Sequence, residues 1–141
     1  TGEVGRTYGD VVHRDDLGAS YRLQSLTYRM DGRTLFSKAA EDGRDLQPVK
    51  SLLLYRGAIE PGDHLIEVEA VVRSGTFGIF TYAEGYRFKV QSKYTFRVRE
   101  GRLNRLAIVL HQKPDVSLSA EERLGVRYDL ELGVGVPVSD D

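Results

Sequence analysis

The segment HQKPD, residues 111–115, sets Asp115 four positions after His111, the spacing at which some acyltransferases hold a histidine and an aspartate. Two such common residue types meet at one spacing by chance. The glycine that usually follows that aspartate is Val116 here, and a strand-end histidine ahead of a Pro-Asp turn accounts for the same residues. The other histidines, His13 and His64, lie far away, with no His-x-His or His-x-x-x-His pair to preform a metal site. Cysteine is absent, which removes disulfides, thiol nucleophiles and Cys-containing zinc sites. There is no Gly-x-Ser-x-Gly elbow and no glycine-rich loop leading into Lys-Ser. Asp15, Asp16, Asp42 and Asp45 lack the Asp-x-Asp-x-Asp-Gly order that wraps oxygens around calcium, so they read as solvated loop acids. The expectation is a non-enzyme with no catalytic residue, no metal and no cofactor.

Binding chemistry is better represented. Arg87, Lys89, Lys93, Arg97 and Arg99 occupy odd positions between Tyr86, Phe88, Val90, Tyr94, Phe96 and Val98. Cations beside rings are the means by which proteins hold phosphates or uronates while stacking bases or sugars. Strict alternation, however, sends the rings to one face and the cations to the other, as a sheet with one buried face requires anyway. Just upstream, SGTFGIFTYAEGY (74–86) concentrates glycines and aromatic residues. If exposed, Phe77, Phe80, Tyr82 and Tyr86 make a stacking platform for sugar rings, with Arg87 and Lys89 at hand for acidic sugars. If the parity of the flanking strands continues through it, Phe80 and Tyr82 turn inward as a structural lid and Phe77 is left for a partner. The candidate binding residues are therefore Phe77, Phe80, Tyr82, Arg87, Lys89, Arg97 and Arg99.

The elements that must position these residues are strands. ASYRLQSLTYRM alternates through Tyr21 and Leu23, then through Leu26, Tyr28 and Met30, so its phase slips once near Gln24–Ser25, as a β-bulge would make it. Asp31-Gly32 is a hairpin signal ahead of RTLFSK. A polar connection over 39–47 leads to Pro48 and the strand-like VKSLLLYRGAI. EPGDH (60–64) supplies Pro and Gly to a turn. In HLIEVEAVVR, Ile66, Val68, Ala70 and Val72 face one way, and Glu67, Glu69 and Arg73 the other. QSK (91–93) reads as a turn or a bend within the next alternating run. Gly101 breaks that run, LNRLAIVLH forms another strand, and VRYDLEL closes the series. SAEE (119–122) has the capping-box spacing for one helical turn, stopped at Gly125.

A chain of 141 residues fits one domain and buries a core without staples. No apolar run approaches the ~18 residues of a membrane-spanning helix. Net charge is −1, but residues 86–113 set eight cations against Glu100, a local balance of +7 that leaves −8 elsewhere. That overall acidity argues against general nucleic-acid binding. The glycine-rich residues 1–18 read as a flexible lead-in with at most a short edge strand at Tyr8–His13, residues 19–132 as the domain, and 133–141 as a tail or linker. Strands recurring between Gly, Pro and Asp turns, with no sustained helical period, predict an all-β, antiparallel β-sandwich, immunoglobulin-like or prealbumin-like, with a small barrel as the alternative. TGEVGR opens without a methionine or a leader, which raises the expectation of a processed fragment of an exported protein.

MDG, IEPGDHLIEVEA, EGYRFKV and YTFRVREGRLNRLAIVL together resemble the PEGA-type module of bacterial and archaeal envelope proteins over roughly residues 26–110. The chain departs from that pattern in its long 33–58 insertion and in the aromatic stretch 77–82. Gly78, Phe80, Tyr82, Gly85, Tyr86, Phe88 and Val90 also resemble a pattern of uncharacterised exported bacterial proteins sometimes labelled dihydrolipoamide acetyltransferase, although neither a lipoyl-carrier Asp-Lys hairpin nor the full acyltransferase motif is present. The resemblance implies an extracytoplasmic β-sandwich, periplasmic or on the cell surface, that serves attachment or assembly. Its partner would be an envelope protein or, in the alternative, an acidic glycan.

Overall fold

The computed structural model describes residues 7–41, 44–74 and 86–134, and among them the protein is an all-β sandwich. Its strands are β1 (Tyr8–Asp16), β2 (Tyr21–Met30), β3 (Arg33–Ala39), β4 (Ser51–Ala58), β5 (Gly62–Ser74), β6 (Tyr86–Val98), β7 (Arg102–Gln112) and β8 (Leu124–Val134). One sheet runs β4-β1-β7-β8 and the other β3-β2-β5-β6; they do not join into the alternative barrel.

Local signals explain most of these boundaries. Asp31 and Gly32 both take positive φ, 53° and 82°, the primed turn whose twist matches the β2–β3 hairpin. The β2–β5 register slips between Leu23 and Ser25, where the hydrophobic phase slips, so Tyr21, Leu26 and Tyr28 all reach the core. The extra residue, Gln24, turns its carbonyl to the Ala40 N–H at 2.8 Å. Ile66, Val68, Ala70 and Val72 lie on the buried face of β5 as the alternation requires. Ser119 and Glu122 exchange capping-box hydrogen bonds of 3.0 and 3.3 Å around a single turn, and β8 starts at Leu124. Burying each large apolar side chain is worth about 1.5–3 kcal/mol, so this face of the second sheet, clustered with Val11, Leu106, Ile108 and Leu110 of the first, holds the two sheets together.

Three expectations change. Tyr8–Asp16 is neither part of a lead-in nor an edge strand, because β1 lies between β4 and β7. Gly9 is there for packing, since a Cβ at that position would meet Ile59 Cγ2 at 3.1 Å. Polar Asp10 and His13 hold buried positions and so erase the apolar alternation that would have marked the strand. The first sheet is also not wholly antiparallel, since β1 runs parallel to β7 from Tyr8↔Leu103 to Asp16↔His111. Finally, QSK is neither turn nor bend. β6 continues straight through it, with Ser92 opposite Val68 and hydrogen-bonded by the Tyr128 hydroxyl at 2.7 Å.

Two polar groups fasten the sheets internally. His13 of β1 meets the Tyr28 hydroxyl of β2 at 2.6 Å across the core. Burial lowers the His13 pKa, against a smaller opposing pull from Asp15, and burial drives the Tyr28 hydroxyl well above its ordinary range. A neutral ring accepting from a phenol that stays protonated is the arrangement both shifts favour. Asn104, 1% exposed, binds the Arg99 N–H and three carbonyls, fixing the β6–β7 hairpin to β1.

Candidate binding face

Among the described residues β6 is the outer strand of its sheet, paired along its whole length with β5 alone. From Phe88 to Val98 the even-numbered side chains turn toward the sandwich and the odd ones away, and Arg87, Lys89, Lys93, Arg97 and Arg99 are all exposed. Phe77, Phe80 and Tyr82 lie outside the described residues. The predicted cations therefore share one face, but not one environment.

At the end of the strand nearest Gly62, β5 supplies acids. Asp63 registers with Arg97 and Glu67 with Lys93, at 3.8 and 3.7 Å, and Gln91 donates to Glu69 at 3.1 Å. Pairs this open to water are worth little singly. Arg99, just past the strand, contributes its backbone N–H to Asn104 and leaves its side chain exposed.

The opposite end is different. Arg22 of β2 registers with Arg73 of β5, and Arg73 with Arg87 of β6, so three arginines form one row across three strands, with Lys89 one step along the same face. Directly opposed like charges are unfavourable in a sheet. Among the described residues one carboxylate is fixed against this row. Asp45 takes a two-pronged contact from Arg73, Nε at 3.1 Å and Nη2 at 2.6 Å, and a weaker one from Gln24. The Arg73 hydrogen bonds hold Asp45 below its usual pKa, and the Arg22 charge adds to the effect. The β2 bulge makes this possible, because its freed carbonyl ties Ala40 down and the Leu23 carbonyl takes the Leu46 N–H, bringing Asp45 over Arg73. Arg22 also lines a cleft of about 410 Å³ with Asp15, Asp16, Gln47, Val49 and Lys50. Sequence reading placed Arg87 and Lys89 here but missed Arg22 and Arg73. Their outward parity was legible, whereas the register that aligns them was not.

No family model matches the chain, and no curated protein matches it. The arrangement must therefore be judged on its own chemistry. A face that sets four cations against one fixed carboxylate among the described residues at one end, and matched charges at the other, can attract and orient an acidic partner; the planar guanidinium fork suits carboxylate, sulfate or phosphate.

Elsewhere the titratable groups serve the fold. Asp115 accepts from the Ser117 N–H and hydroxyl at 2.9 and 2.7 Å, and these bonds lower its pKa. No hydrogen bond joins it to His111 among the described residues. Asp15 caps the Leu17 N–H at 3.0 Å. Among the described residues no three His, Cys, Asp or Glu side chains gather as a metal site, and no helix is long and apolar enough to cross a membrane. On the outer face of the first sheet, Asp10 sits between Arg56 at 3.0 Å and Arg105 at 3.8 Å, with Asp129 and Glu131 nearby, so charges there are largely matched.

Proposed function

We propose that the protein is a non-enzymatic interaction module that recognises an acidic partner protein through the basic outer face of β6, and that it serves assembly or attachment in a bacterial envelope. The observation that carries this reading is the placement of Arg87 on an edge strand in line with Arg73 and Arg22, with Lys89 one step along the same face, where a stable surface would alternate charge. The resemblance to PEGA-type modules supports the extracytoplasmic, assembly side of the proposal. Retention of partners from an envelope fraction on the immobilised domain tests it. Retention is expected to fall with salt and to be lost on Arg87→Glu/Lys89→Glu. Equal retention by that variant, or a parent protein found only in the cytoplasm, overturns it.

An acidic glycan is the second reading, favoured by the arginine row opening beside the 410 Å³ cleft with its mixed polar and apolar lining. Titration with uronate oligosaccharides separates the two. Saturable binding abolished by Arg22→Ala supports the glycan, and none at low salt leaves the protein partner.

A further inference from the structure

Every residue of β6 pairs with β5, and its other edge meets no strand among the described residues. Alternate residues of an antiparallel edge strand aim their N–H and C=O groups outward, ready for another strand. β5 shows what such a strand looks like in this environment. It sets Asp63, Glu67 and Glu69 opposite Arg97, Lys93 and Gln91 on the outer face, and Ile66, Val68, Ala70 and Val72 toward the core. Lys93 and Arg97 reach toward those acids yet stay 72% and 70% exposed, and Lys89 has Val71 rather than an acid opposite it on β5. On the inner face Phe96 and Val98 are buried, but Phe88, Val90 and Tyr94 are only half covered, as are Val126, Tyr128 and Leu130 of β8 along the seam between the sheets. Tyr94 stacks on Tyr128 at 4.4 Å, so the seam is closed there by rings that retain exposed surface.

We infer that the free edge of β6 accepts an extended segment of a partner protein in which acidic and apolar residues alternate, adding a fifth strand beside β6 as the mirror of β5. Its carboxylates lie over Lys89, Lys93 and Arg97, and its apolar residues cover the half-exposed rings of the seam. A second copy of the chain does not fit through the same edge, because β6 against β6 would set one basic ladder beside another. The inference rests on the interaction-module reading and specifies how the partner is held: main-chain hydrogen bonds supply affinity, and the cations select the pattern.

The test uses the whole chain, isotopically labelled, and synthetic peptides of about ten residues, a typical strand length. One peptide alternates Glu with Val and Ile; a second has the same composition with its glutamates in a block; a third repeats the first with alternate amide nitrogens methylated. The first is expected to shift the β6 backbone amides and slow their exchange, and to bind about ten-fold or more tighter than the other two, the loss expected when one or two good contacts disappear. Lys89→Glu/Lys93→Glu should weaken it similarly without moving the amide spectrum of the first sheet. Equal binding of all three peptides overturns strand addition while leaving a basic recognition face in place, and so does an absence of peptide binding by a domain that still retains envelope partners in a charge-dependent way. Loss of both overturns the interaction reading as well.

Discussion

His64 Nδ1 lies 2.5 Å from the Asp31 carboxylate, so the ring at the start of β5 clasps the turn that joins β2 to β3. Its Nε2 faces the Glu60 carbonyl at 2.6 Å, and Asp31 also takes the Leu65 N–H at 2.9 Å. Both ring nitrogens thus face acceptors, which a doubly protonated imidazolium satisfies.

The pH dependence follows from that geometry. Burial lowers the His64 pKa, but the Glu60 carbonyl and Asp31 outweigh it and the net shift is upward; burial raises Asp31, but Leu65 and His64 outweigh that and its net shift is downward. A raised histidine contributes stability that is fully present below its unfolded pKa of ~6.5 and fades as pH climbs through the higher folded value. A lowered aspartate contributes above ~3.9 and fades as pH falls. The clasp should therefore be strongest between about pH 4 and 6.5. Urea midpoints measured across neutral pH should decline on the alkaline side for the native chain, and His64→Gln should remove that decline. An unchanged profile in the variant would show that the clasp does not report on folding.

His13 has the opposite sign. Its folded pKa is lowered, so the unfolded chain takes up the proton first and stability drops as pH falls below ~6.5. With His64 replaced, this slope should stand alone. Tyr28→Phe strips the buried ring of its 2.6 Å partner and should cost about 1–3 kcal/mol with an unchanged denaturant slope, measured by chemical unfolding.

Asn104 should be the least replaceable polar residue in the fold. It receives the Arg99 N–H at 2.8 Å and donates toward the Arg99, Arg102 and Tyr8 carbonyls at 3.1 to 3.2 Å. Asn104→Leu leaves several of these groups without partners in a site that excludes water, at a cost of about 2–4 kcal/mol, read as a lowered urea midpoint. Asn104→Asp should be worse, because it turns a carboxylate toward three carbonyl oxygens.

Strand periodicity and turn chemistry make much of the fold legible in the sequence. The slip at Gln24–Ser25, the Asp31-Gly32 turn, the Ser119–Glu122 cap and the inward row of β5 are local signals, and each has its local counterpart. β1 reads as no more than a short edge strand because Asp10 and His13 fill two of its buried positions, and their partners Arg56 and Tyr28 lie 46 and 15 residues away. The candidate face was half legible for the same reason. Alternation fixes which side of β6 Arg87 occupies, but only long-range register sets it in line with Arg73 and Arg22.

That register separates stability from binding on β6. Arg87 faces Arg73, so Arg87→Glu exchanges a like-charge contact for an opposite one and should stabilise the domain, by about 0.2–1 kcal/mol, the size of a cross-strand pair. Arg97 faces Asp63 at 3.8 Å, so Arg97→Glu sets two acids opposite each other and should destabilise by a similar amount. Both remove positive charge from one exposed face, so both should weaken retention of an acidic partner, with Arg87→Glu having the larger effect because no acid of β5 stands opposite it. Thermal midpoints and retention on an immobilised polyanion, measured for the two variants side by side, should therefore disagree in rank. If the more stable variant also binds as well as the native chain, the arginine row is a structural tolerance rather than a recognition surface.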